Sequence, residues 1–164
     1  PDGVLVRPAE HAASTYAKPE LPDEAKENTE RGAELAAEHY LALLTYAWNT
    51  GDTQPFADMS NPDSNFANSY IGRINSLYSN GWEYDNSSSV THILRVKPME
   101  PDGSDVPEGT ILVKFRIASV DGTSCYGTRI TSRTGEYEST LTFLMTWVDG
   151  RWQETQGKMI SDDE

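Results

Sequence analysis

At Gly81 the spacing of apolar residues changes, and this switch constrains the fold more than any other feature of the chain. Before it, apolar side chains recur every three to four residues, the spacing of a helical face. After it, they alternate with polar ones, the spacing of a strand. A chain that places helices first and strands afterwards segregates the two. The expected class is therefore α+β, with three N-terminal helices packed on a curved, mainly antiparallel sheet of about five to six strands.

The helical half is anchored by Glu30 to Asn49, in which Ala33, Ala36, Ala37, Tyr40, Leu43, Leu44, Ala47 and Trp48 fall on one face. Asn28 or Thr29 stands at its N-cap, and Gly51 stands where a left-handed C-cap belongs. Asp52 or Thr53 caps a short second helix with Pro55 in its first turn. Asp63 or Ser64 caps a third, reaching about Asn80, with Phe66, Tyr70, Ile71, Ile74, Leu77 and Tyr78 as its stripe.

In the strand half, Trp82 and Tyr84 are followed by Val90 to Lys97, where alternation puts Val90, His92, Leu94 and Val96 on one face. Met99 to Gly109 is rich in Pro, Gly and Asp and reads as a loop. Thr110 to Val120 turns Ile111, Val113, Phe115 and Ile117 one way and Lys114 and Arg116 the other. Asp121-Gly122 and Thr134-Gly135 read as turns around a weaker strand, Tyr126 to Ser132. Asp149-Gly150 predicts a type I′ hairpin between Glu138–Val148 and Arg151–Gln156, with Val148 opposite Arg151 and Trp147 opposite Trp152.

The expected organisation is a mobile, proline-bearing tether over 1–22, one domain over 23–160 and an acidic tail over 161–164. Within the tether only Val4, Leu5 and Val6 have strand character. The first residue is Pro1 rather than Met, which suggests a trimmed chain whose targeting information lay upstream.

With 26 acidic and 13 basic residues the chain carries a net charge of −13. That argues against nucleic acid and against an anionic membrane surface, since both require a basic stripe. Cys125 is the sole cysteine, so no intrachain disulfide and no thiolate metal cluster can form. No apolar run approaches a membrane span, and no signal peptide is visible. No two histidines lie close in sequence; His11 falls in the tether and His39 on a helix edge. Asp102-Gly103-Ser104-Asp105 lacks the alternating ligands of a calcium loop and reads as a turn. Asn86-Ser87-Ser88 is a sequon on a polar turn. Phosphate-loop, nucleophile-elbow and metalloprotease motifs are missing, so no metal and no cofactor are expected.

The order of elements resembles the nuclear-transport-factor-2-like, or SnoaL-like, superfamily of α+β cones. Gly32-Ala33, Tyr40, Leu44-Thr45-Tyr46-Ala47, Thr50-Gly51-Asp52-Thr53, Met59-Ser60 and Trp82 further resemble the helical half of an actinobacterial family of secreted lipoproteins of unknown function. This resemblance covers roughly residues 28 to 158. It implies export and a lipid anchor upstream of the tether, and it implies no activity. Similar members often carry Cys-x-x-Cys where this chain has Ser64 and Ala67, so the third helix here must rely on packing and its cap.

In a cone the face beneath the first helix is also the pocket, so polar residues on that face are the candidates. Alternation places His92 on the first long strand and Trp152, Glu154 and Gln156 on the last, with Tyr40 projecting from the first helix. Glu154 and His92 would form an acid–base pair if they met in an apolar cavity. The aromatics Trp48, Trp82, Tyr84, Trp147 and Trp152 read as core, or as a stacking surface for a flat ligand. The function expected is a non-catalytic, extracytoplasmic, envelope-tethered domain that binds an unknown small molecule or protein. The alternative is an isomerase- or dehydratase-like enzyme working in the cone. Membrane contact is expected only through an upstream anchor, and homodimerisation through an outer patch containing Leu112, Leu144 and Val148.

Overall fold

The computed structural model describes residues 16–162 except 104 and 128, with the backbone alone for 131–134. Val4 to Val6, His11 and the Asp163-Glu164 end lie outside the described residues. A single 3-10 turn at Asp23–Lys26 leads into α1 (Glu30–Thr50), α2 (Gln54–Asp58) and α3 (Asn65–Tyr78). The strands β1 (Gly81–Tyr84), β2 (Ser87–Pro98), β3 (Thr110–Tyr126), β4 (Arg129–Val148) and β5 (Arg151–Ser161) follow. They form one five-stranded antiparallel sheet, with β1 and β2 sharing one side of β3 and β4 and β5 following on the other. The fold is the expected α+β cone, with α1 lying along the inner face.

The limits of α1 follow from its caps. The Thr29 hydroxyl accepts the Gly32 N–H at 2.9 Å. Gly51, at φ 78°, returns its N–H to the Ala47 carbonyl. Ala33, Ala36, Ala37, Tyr40, Leu44 and Ala47 are buried against Val113, Phe115, Ile117, Leu141, Phe143 and Met145 of the sheet. The alanines let the helix backbone approach the strands closely, and each large side chain enclosed contributes about 1.5–3 kcal/mol. Ser64 caps α3 by accepting the Ala67 N–H at 3.1 Å. The two positions at which the resemblance places a cysteine pair are thus joined by a hydrogen bond instead.

The Asp149-Gly150 hairpin has φ of 50° and 82°, as type I′ requires, and pairs Val148 with Arg151 and Trp147 with Trp152. The two indoles meet edge to face at 5.2 Å. Two other expected turns are corrected. Asp121-Gly122 lies within β3, at a register shift between Asp121 and Thr123, and Gly135 lies within β4 opposite Asp121. The chain reverses after Tyr126, which pairs with Arg129 across the β3–β4 connection. Gly122 is small for a tertiary reason: a Cβ there would come within 1.9 Å of the Tyr84 carbonyl.

The described part of the expected tether is docked. The Tyr16 hydroxyl donates to Asp85 Oδ1 and accepts the Asp85 N–H, while Leu21 packs on the core. At the other end β5 includes Ser161, and Asp162 pairs with Arg116 at 2.6 Å, so ordered structure passes residue 160.

Candidate functional site

Two polar regions face the interior, one at the level of Tyr40 and one at the level of Trp48. The first is closed. Glu154 is fully buried beside Tyr40, which stacks on Phe56 at 4.4 Å and meets Phe143 edge to face at 5.0 Å. Glu154 Oε2 lies 2.9 Å from the Tyr40 hydroxyl and 3.0 Å from the Ser64 hydroxyl, while Oε1 has no partner among the described residues. The Glu154 backbone bonds to Met59 O and Asn61 N, so the chain between α2 and α3 is clipped to the edge of β5. Burial pushes the Glu154 carboxyl above its ordinary value, against the opposing pull of the Ser64 and Tyr40 hydroxyls. Burial and the adjacent carboxyl also push the Tyr40 phenol upward.

The hydrogens available to this hydroxyl chain are limiting. The Ser60 hydroxyl donates to the Phe56 carbonyl at 2.7 Å, so the 2.6 Å contact between Ser60 and Tyr40 needs the Tyr40 proton. The Tyr40 hydroxyl also stands as donor to Glu154 Oε2, so its one hydrogen serves two contacts unless a protonated acid supplies another. A neutral Glu154 completes the chain Glu154–Tyr40–Ser60–Phe56, whereas a carboxylate leaves one contact without a hydrogen. This is a buried acid held by hydroxyls from the helical half.

His92 is not its partner. The register shifts between Val90 and His92 and between Ile93 and Arg95, so His92 pairs with Arg116 on the outer face and is exposed. The correction has a local cause: Thr91 and Leu94 are extra residues in the ladder, and each reverses the alternation. Gln156 is displaced in the same way. A shift between Leu144 and Met145 pairs Glu154 with Met145 and Gln156 with Leu144, leaving Thr155 as the extra residue. Gln156 is exposed and donates to the Asp105 carbonyl at 2.6 Å. Trp152 is buried, with its indole N–H on the Glu27 carbonyl at 2.8 Å. It edges a depression of about 210 Å³ between the hairpin turn and the Leu21 segment.

The second region is open. A cleft of about 240 Å³ lies between the C-terminal half of α1, α3 and the far ends of β1, β3 and β4. Leu41, Leu44, Ile117 and Met159 form an apolar floor, and Glu83, Asn86, Ser119 and Tyr137 bring polar groups to the wall. The inner face of β3 turns polar as the alternation Ile111, Val113, Phe115, Ile117 continues to Ser119. Ser119 pairs with Tyr137 of β4. Continuing that alternation past Ile117 to Ser119, still inside the strand read as Thr110 to Val120, is the sequence signal for this site.

The polar wall is held together internally. Asn49 donates to the Asn86 carbonyl and accepts both the backbone N–H and side-chain amide of Asn86. Asn86 accepts the Gly122 N–H, and Glu83 accepts from the Asn86 amide and the Ser124 hydroxyl. The sequon asparagine is therefore built into this wall. Tyr137, hydrogen-bonded with Ser119 and Asp121, has its phenol pushed up first by burial and then by the Asp121 charge. Trp48 and Tyr70 close the α3 side in an edge-on pair, with the Arg73 guanidinium 5.1 Å above the Tyr70 ring. No group of metal-ligating side chains occurs among the described residues.

Fold and cleft together define a helix-lined α+β cone with one closed and one open end. The chain belongs to DUF6318, a family of unknown function whose model matches residues 8–158. No curated protein matches the sequence. Among solved structures it is similar to a Xanthomonas campestris protein bearing the name of the calcium/calmodulin dependent protein kinase II association domain. That likeness has 13% identity and a TM-score of 0.54, over 91% of this chain and 96% of the other. It is also similar to the intermembrane space region of the chloroplast protein ARC6, with 12% identity and a TM-score of 0.51 over 79% and 97% of the two chains. At this identity the likeness concerns the fold alone.

Proposed function

We propose that this is a non-catalytic binding domain whose ligand is a small molecule seated in the Trp48–Glu83 cleft. The observation that carries the reading is the cleft itself, an apolar floor under a wall of hydrogen-bonding groups beside an otherwise filled interior. Its volume of about 240 Å³ suits a ligand smaller than a typical drug. The wall contains the carboxylates of Glu83 and Asp121, which favours a neutral or cationic ligand with hydroxyl or amine donors. The enzyme alternative needed Glu154 and His92 together at an open cavity, and they lie on opposite faces of the sheet. A cell-envelope location with a lipid anchor is part of the proposal, and its support is the sequence resemblance.

The test is a thermal-shift screen of small polar metabolites on the intact chain and on a Thr45→Trp variant, which fills the cleft from α1. A ligand at about 100 times its Kd adds about 2.7 kcal/mol, a rise of several degrees for a domain of this size. The expected hit raises the melting temperature of the parent chain and leaves the variant unmoved. A hit that stabilises both equally removes the cleft from the proposal. The location is tested separately by membrane fractionation of cells that make the protein from its own gene.

A further inference from the structure

The net charge of −13 conceals a segregated basic band. Register aligns Arg95 of β2 with Lys114 of β3, Lys114 with Thr142 of β4, and Thr142 with Lys158 of β5, all on the outer face. Neighbouring rows add His92 beside Arg116, and Lys97 beside Leu112. Five of the chain's 13 Lys and Arg residues thus gather on one side of four strands. Arg95, Lys97, Lys114 and Lys158 make no ion pair among the described residues, whereas Arg116 is held by Asp162 and Glu138. The band is bounded on both sides by acids. Glu138 and Asp162 stand at one margin, and the Met99–Gly109 loop, with Glu100, Asp102, Asp105 and Glu108, stands at the other. That loop reaches over the sheet where Gln156 bonds to the Asp105 carbonyl, and Leu144 beside it is buried. The apolar patch expected to mediate a homodimer is therefore interrupted at Leu144.

We propose that this band is a docking surface for a slim, linear, base-free polyphosphate chain lying across the strands. With strands about 4.8 Å apart, the row from Arg95 to Lys158 spans about 14 Å, room for a short run of phosphates. The acidic margins select against a broad anionic surface, which would meet them, and admit a narrow chain. The Lys97, Lys114 and Lys158 ammonium groups serve as point charges for phosphate and the unpaired Arg95 fork suits its oxygens, while Arg116 is already filled by carboxylates. These rows carry no outward Phe, Tyr or Trp and one imidazole, His92 at the margin, so the face offers no run of rings on which successive bases could stack. The distant negative charge does not forbid binding, because it is screened beyond about 8 Å at physiological salt.

The experiment is a salt titration of the binding of inorganic polyphosphate to the intact chain. It is repeated for Lys114→Glu/Lys158→Glu, for the milder Lys114→Gln, and for Lys26→Glu/Arg31→Glu on the helical side, with folding checked by circular dichroism. The parent chain is expected to bind at low salt. The double reversal should weaken binding at least tenfold and the glutamine variant should lower the logarithmic salt slope by about 1, with the helical-side control unchanged. The proposal is overturned if the parent does not bind, or if the control loses as much as the double reversal. Tighter binding of polyglutamate, of a single-stranded oligonucleotide or of anionic vesicles also overturns it.

Discussion

The Tyr40 level and the Trp48 level of α1 lie over the same sheet and are built in opposite ways. At Tyr40 the aromatic rings of Phe56, Phe143 and Tyr40 pack together inside the cone, and the acid beside them, Glu154, is fully buried. At Trp48 the inner face of β3 and β4 turns to Ser119 and Tyr137, and a cleft remains. Polarity inside a cone therefore does not by itself mark the pocket. A single buried acid satisfied by hydroxyls acts as a clip, while a wall of polar groups around empty space acts as a receptor.

The largest contrast is expected from packing. Phe143→Ala removes a ring shared by Tyr40, Phe66 and Phe115. It should cost about 3–5 kcal/mol in urea unfolding. Thr45→Ala, on the cleft wall, should stay within about 0.5 kcal/mol. Comparable losses at both positions would break the distinction between a filled and an open end.

Next comes the proton on Glu154. The folded state raises the affinity of this carboxyl for its proton, so folding above the unfolded value near 4.5 takes up a proton. The contribution is complete below that value and is withdrawn as pH climbs through the folded one, with a slope of at most about 1.4 kcal/mol per pH unit. Glu154→Gln should flatten this slope between the two values. Parallel pH–stability curves for parent and variant would mean that Glu154 is ionised in the folded protein.

These regions were unequally legible in the sequence. The α1 boundaries and the Asp149-Gly150 hairpin are set by caps and φ signs within a few residues, so local reading finds them. The length of β3 is not local. Gly122 looks like a turn residue, yet it is small because Tyr84 passes against it. Glu154 and Tyr40 stand inward as alternation and helix periodicity place them, but His92 does not join them, because the extra residues Thr91 and Leu94 carry no signature of their own. Besides Tyr40, the carboxylate's partner is Ser64, a helix-cap residue, and nothing in its setting announces a carboxylate ninety residues away. The basic band was hidden for a similar reason: it is continuous only across strands.

A smaller effect is expected from Ser64→Ala. It removes both the cap on Ala67 and the donor to Glu154, at a cost of about 1–2 kcal/mol, read by urea unfolding at pH 7. If Glu154 is neutral there, the loss should be nearly the same at pH 5. A loss several times larger at pH 7 than at pH 5 would show a carboxylate leaning on the Ser64 hydroxyl.

The smallest expected change separates the two regions most cleanly. Asp85 sits at φ 63°, a conformation uncommon for a residue with a side chain, at the turn leading to Asn86 on the cleft wall. The Tyr16 hydroxyl holds it there from both sides, accepting its N–H and donating to its carboxylate. Tyr16→Phe keeps the ring and removes both bonds, so global stability should fall by about 0.5–1.5 kcal/mol. Its local signature should be larger. Amide hydrogen exchange should quicken at Asn86 and Gly122, whose N–H groups bond to Asn49 and Asn86. Exchange at Asn61 and Glu154, whose N–H groups form the clip, should stay unchanged. Equal acceleration at all four amides would mean that the wall of the cleft and the clip open as one cooperative unit.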